Sequence, residues 1–406
     1  MHRAKRAALR ALACAGLVAA LIAPATAAAE DPAAAAREQV KQLEEVIAAR
    51  PDDANLRYFL ALLRLGASDR KGAIAALEDT LRLGDGFLPT ADFFAALESE
   101  PAYAPLRRGF EERLPRVERG TLYYRATQRD LMPEGVASDG RSLFIASMKD
   151  GSIWRIGPDR KARLFARGRG LPRLGLAYDA ARRRLCAVTT NGFLDAAAAS
   201  RRNHVDCFDS RTGSEVQSFA VPGALQLNDL AISPDGQAIY ATDSAAGSLW
   251  RIDAQGKPHA FADSLPGANG LALDGKGALY VAHNSGIARI DADKGTVLTG
   301  RLPVKSRETV AGIDGLYWHE GALIGVQNVT NPGRVIRMTL GTDGAIARVE
   351  TLQSHHSRWI SEPTTAAIAG KRLFLLATSE VSRLQPDGSI RDIATVKPAA
   401  ILSLAL

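Results

Sequence analysis

Two patterns of hydrophobic spacing divide the chain. From about residue 33 to residue 118, apolar positions recur at intervals of three and four, as in Val40, Leu43, Val46 and Ile47, then Leu56, Phe59, Leu60 and Leu63. This is the spacing of helices that turn one face to a core. Pro51-Asp52-Asp53 and Gly66-Ala67-Ser68-Asp69 break these runs and supply capping residues. Two more helices are expected over Ala91 to Glu98 and Tyr103 to Leu114. From Gly120 onward the helical period is lost. Short apolar runs alternate there with Asp-Gly, Pro-Asp-Gly and Asn-Gly turns, the texture of short strands joined by tight connections.

Within that second region one unit recurs six times. It is cleanest where Asn228 to Ile232 is followed by Ile239 to Thr242 and Ser248 to Asp253. The copies begin at Glu134, Leu174, Asn228, Asn269, Asp314 and Pro363, at intervals of 40 to 54 residues. Four strands with their turns fill about 40–50 residues, one blade of a propeller. The last copy takes Glu380 to Leu384 as its third strand. Thr121 to Ala126 and Ile401 to Leu406 are candidates for the strand that closes the ring. The fold class is therefore mainly β, a six-bladed β-propeller over 120–406 preceded by a small α-helical domain over 33–118.

Pro51 to Gly84 is about one tetratricopeptide-repeat period long and resembles that family. Tyr58, Ala61, Gly66, Ala73, Leu77 and Thr80 fall at its packing positions. A single unit is short of the three or so that a free-standing solenoid needs. The segment reads as a cap docked on the propeller, with a peptide-binding groove as the alternative.

Arg3, Lys5, Arg6 and Arg10 precede an apolar stretch from Ala11 to Ala23, then Pro24 and small residues. This is the pattern of a cleaved signal peptide over 1–29, and the apolar stretch is too short to anchor the chain in a membrane. A periplasmic or secreted location follows. Loss of those four basic residues takes the net charge from +7 to +3, which excludes a strong electrostatic case for nucleic acid. Cys186 and Cys207 then remain, on two runs of one blade, and in an oxidising compartment they are candidates for a disulfide.

The residue just before each innermost strand is expected to face the channel at one mouth. Down the six repeats this position holds Glu134, Leu174, Asn228, Asn269, Asp314 and Pro363, with Glu362 beside it. Two carboxylates and two amide carbonyls around one axis suit a hard divalent cation. Asn-Gly, Asn-Asp and Asp-Gly also make turns in their own right; the recurrence at one repeat position is what favours a site.

The stretch from about 130 to 395 resembles the SMP-30/gluconolactonase/LRE-like propeller family. The likeness is carried by Pro133-Glu134-Gly135, Leu227-Asn228-Asp229, Ala268-Asn269-Gly270-Leu271 and Ile313-Asp314-Gly315. The resemblance implies a divalent cation on Glu134, Asn269 and Asp314, calcium first, with zinc or magnesium as alternatives. It gives Asn228 to metal or substrate and makes Asp314 the base in hydrolysis of a lactone or related small ester. Gln226 stands where the family has a basic substrate-binding residue. His283 is added as a substrate contact at the channel mouth. The competing reading is a non-catalytic propeller that binds a protein, peptide or small ligand, with the helical segment as partner surface. His355-His356 reads as loop, and Arg160, Lys161, Arg163, Arg167, Arg169 and Arg173 read as a solvated basic face.

Overall fold

Turn chemistry sets the strands of each repeat into hairpins. At Ser233-Pro234-Asp235-Gly236 the Gly236 amide bonds the Ser233 carbonyl at 2.7 Å and the Asp235 carboxylate accepts the Gln237 amide at 2.9 Å. Gly236 sits at a φ of 69°, in the left-handed region that this turn requires. The computed structural model describes residues 32–194 and 200–406; the expected signal peptide lies outside the described residues.

Six four-stranded antiparallel sheets follow one another as blades. Five are built from consecutive strands, over 133–166, 173–220, 227–262, 271–299 and 313–353. The sixth runs outward from Ala366–Ala369 through Arg372–Thr378 and Ala400–Ala405 to Thr121–Arg125, taken from the start of the propeller. The ring thus closes by pairing the two ends of the propeller, which leaves no unpaired first blade. One expected strand is corrected. Glu380 has a φ of 57° and opens a single 3-10 turn over Val381–Arg383, so the third strand of blade six is Ala400–Ala405 instead.

Aliphatic side chains fill the spaces between blades, as where Leu249, Leu271, Leu279 and Ile290 share one cluster. Cys186 and Cys207 face each other across the second and third strands of blade two and are joined by a disulfide.

Ahead of the propeller come α1 (Pro32–Ala49), α2 (Ala54–Gly66), α3 (Arg70–Leu83), the short α4 (Ala91–Phe94) and α5 (Tyr103–Glu112). Asp53 caps α2 by accepting the Asn55 amide, and Asp69 caps α3 by accepting the Gly72 amide. Leu43, Leu56, Phe59, Leu63, Leu77 and Phe110 lie in their shared core. Among the described residues no helix is long and apolar enough to cross a membrane.

Because the strands of a blade are antiparallel, each innermost strand starts at the end where its second and third strands connect. The helices dock at that same end, on blades four and five. The Asp85 amide bonds the Arg307 carbonyl and the Leu88 amide the Thr330 carbonyl, both at 2.9 Å. Asp53 pairs with Arg301 across the seam.

Candidate active site

The innermost strands do not start cleanly. In blades one, two, three and five the register with the second strand shifts between Pro133 and Val136, Arg173 and Leu176, Leu227 and Leu230, and Ile313 and Leu316. Inside these bulges lie Glu134-Gly135, Leu174-Gly175, Asn228-Asp229 and Asp314-Gly315. A bulge re-aims the side chains it holds. The inward residues of these blades therefore sit within the first residues of the strand, rather than just before it as the repeat pattern predicted. In blade four Asn269 does precede its strand, Leu271–Leu273. The Gly270 amide there bonds the Asp314 carbonyl of the next blade at 2.7 Å.

Three side-chain oxygens at this mouth are buried and have no hydrogen-bond partner: Oε2 of Glu134, Oδ1 of Asn228 and Oδ1 of Asn269. The amides explain themselves. Asn228 gives its Nδ2 to Ser244 Oγ at 2.9 Å, and Asn269 hydrogen-bonds the Asp314 carboxylate. With the donors committed, only the acceptors are left facing inward. A buried unpaired acceptor costs about 1–3 kcal/mol, and three around one carboxylate-lined mouth form a donor set fitted to a hard cation. Among the described residues no group of three or more His, Cys, Asp or Glu side chains could hold a metal ion; the fit depends on the two asparagine carbonyls.

Three carboxyls interact here. Burial pushes Glu134 well above the usual carboxylate range, and the charges of Asp314 and Asp229 add to it. Burial likewise takes Asp229 up to about 7, with Asp314 contributing. Asp314 is raised by burial to about 6, held back by hydrogen bonds from Asn328 and Asn269. Tyr317 is half-buried beside the same charges, and its hydroxyl accepts the Ala366 amide at 2.6 Å. Like charges in a dry site resist ionising together; a cation among them reverses that.

The structure brings Glu134, Asn228, Asn269 and Asp314 to one mouth and leaves other expected residues out. His283 is buried, with Nε2 donating to the Gly300 carbonyl at 2.9 Å and Nδ1 facing Ser285 Oγ at 3.2 Å. Its charged neighbours are Arg301 and Arg50, and burial drives its pKa down to about 4. Both nitrogens are committed to neighbours within blade four. Glu362 turns to Ser382, accepting its amide and hydroxyl. His355 and His356 lie against each other with tilted rings, centroids 4.1 Å apart. Arg173 leaves the expected basic face: it is buried, bonded to the Gly151 carbonyl and 3.7 Å from Asp206.

Asp229, Tyr317 and Asn328 were not singled out by the repeat pattern. Asp229 fills the slot that Gly135, Gly175, Gly270 and Gly315 occupy in other blades, and a carboxylate where four copies have glycine is a readable signal. Asn328 follows the second strand of blade five and gives Nδ2 to Asp314 Oδ2 and to the Pro363 carbonyl.

Residues 214–313 match the model of the SMP-30/Gluconolactonase/LRE-like region, a stretch that holds Asn228 and Asn269. Among solved structures, a luciferin-regenerating enzyme shares 16% identity at a TM-score of 0.50, covering 69% of this chain and 93% of that one. A gluconolactonase from Xanthomonas campestris shares 19% identity at a TM-score of 0.46, covering 68% of this chain and 86% of that one. A putative gluconolactonase shares 15% at 0.49, covering 70% and 92%. At these identities the likeness is one of fold. No curated protein matches the chain.

Proposed function

We propose that this chain is a hydrolase of a lactone or related small ester, working at the propeller mouth with a divalent cation, calcium first. Glu134, Asn269 and Asp314 would hold the ion, with Asn228 contacting ion or substrate. The observation that carries this reading is the set of three buried oxygens without partners beside the Asp314 carboxylate. The match over residues 214–313 supports it.

A cation so held supplies polarisation of the substrate carbonyl. The chain's own groups do the rest. Asp314 accepts the proton of the attacking water as general base. Asn328 and Asn269 orient its oxygens by donating to them. Asn228, tied to Ser244, offers its carbonyl in one direction only. Burial of Glu134 and Asp229 keeps bulk water from screening these charges. The leader pattern and the disulfide support export to an oxidising compartment.

Metal content of the purified protein, measured with a lactone and ester panel, tests the reading beside Asp314→Asn. Bound cation and turnover in the wild type, with turnover lost in the variant, support it. Unchanged metal and activity in the variant contradict the role of Asp314. Cation binding without turnover of any ester would favour the non-catalytic alternative.

A further inference from the structure

The connection between the second and third strands of blade five, residues 328–333, touches both halves of the molecule. Its first residue belongs to the mouth. Asn328 uses both hydrogens of its amide, one on Asp314 Oδ2 and one on the Pro363 carbonyl at 2.8 Å. Rotation of that amide would lose both bonds together.

The next three residues belong to the helices. The Val329 side chain packs against the helical core, and its carbonyl accepts the Tyr58 hydroxyl at 3.3 Å. The Thr330 carbonyl accepts the Leu88 amide at 2.9 Å. Asn331 is buried and gives Nδ2 to the Gly86 carbonyl at 3.2 Å. Tyr58 is itself immobilised, fully buried with its ring stacked on Phe87 at 5.4 Å and edge-on to Phe94 at 5.5 Å. A surface connection ordinarily keeps conformational freedom; this one is fastened at three successive residues to the helical segment.

We infer that the helical segment is a positioning element of the mouth: through Val329, Thr330 and Asn331 it holds Asn328 on the Asp314 carboxylate. Tyr58 and Asn331 are positioning residues that act through Asn328. The inference rests on the reading of Asp314 as a cation ligand and base. It gives the helices a role in the site that neither partner recognition nor mere capping requires.

Tyr58→Phe removes one hydroxyl and keeps the packed ring, and Asn331→Ala removes the tie to Gly86. Arg307→Ala is the comparison, because it breaks the same seam at Asp85 and the Arg82 carbonyl, away from the connection. The first readout is the pair of Asn328 side-chain amide signals in nuclear magnetic resonance, identified by their loss in Asn328→Ala. They should shift in Tyr58→Phe and Asn331→Ala and stay in place in Arg307→Ala. The second is calcium affinity of the full chain by calorimetry. Tyr58→Phe should weaken it about threefold to tenfold, the range one hydrogen bond sets, and add nothing once Asn328 is already Ala. Asn328 signals unmoved by Tyr58→Phe and Asn331→Ala, equal movement in Arg307→Ala, or fully additive affinity losses would overturn the inference. If the wild type binds neither calcium, zinc nor magnesium, the proposed function fails while the Asn328 signals still decide the tether.

Discussion

Gly175 of blade two lies against Asp229 of blade three so closely that a Cβ on the glycine would run into Asp229 Oδ1, its Cα and the Asn228 carbonyl. The room for one buried carboxyl is made by the absence of a side chain on the neighbouring blade. Two of the three obstructing atoms are backbone, so relief needs movement of the strand. Gly175→Ala should cost about 1–3 kcal/mol, the usual range for overpacking, measurable as a lowered midpoint in denaturant unfolding. An unchanged midpoint would show that the blades yield freely.

Cation-free protein should lose stability as pH rises through the acid range. Asp229 keeps its proton to about 7 in the folded chain and Asp314 to about 6, whereas ordinary carboxyls ionise near 4. Between these limits the folded state binds more protons than the unfolded one, so its stability falls as pH rises. In chelator, Asp229→Asn should gain on the wild type by about 1–4 kcal/mol between pH 4 and pH 8. A difference that does not grow with pH contradicts the burial of that charge.

His283 works in the opposite sense. Burial lowers its pKa to about 4 in the fold, and an unfolded histidine takes its proton near 6.5. Its contribution is present above that value and is lost as pH falls towards 4. His283→Gln keeps a donor for the Gly300 carbonyl without titrating. The stability advantage of the wild type over this variant should shrink between pH 7 and pH 4, and unfolding curves across that range check it.

The disulfide closes a short loop, since Cys186 and Cys207 are 21 residues apart in sequence. Loop-closure entropy for such a length corresponds to about 3 kcal/mol. Reducing agent should lower the unfolding midpoint of the wild type and leave a Cys186→Ala/Cys207→Ala variant unaffected.

Much of this molecule can be read from its repeats, and the places that cannot have physical reasons. Four copies put Glu134, Asn228, Asn269 and Asp314 in one slot, and the ring symmetry of a propeller turns a shared slot into shared space. Glu380 to Leu384 has the alternation of a strand, but the left-handed backbone at Glu380 starts a turn, and alternation alone does not reveal that. Asp229 was hidden because an Asn-Asp pair also makes turns. Asn328 acquires its role only when blade six closes beside blade five and presents the Pro363 carbonyl. His283 ends its strand at the correct end of the molecule, yet its neighbours Gly300 and Ser285 hold it in the blade wall.

The central claim is that the oxygens at the propeller mouth hold a cation. Calcium titrated calorimetrically into chelator-treated full-length protein at neutral pH measures this directly, in the wild type and in Glu134→Gln. Loss of one charged ligand should leave the variant at least about tenfold weaker, since a charge-assisted contact is worth about 1.5–3 kcal/mol. One ion per chain in the wild type with that loss in the variant is the predicted result. No heat of binding in the wild type, or equal affinity in the two proteins, would contradict it.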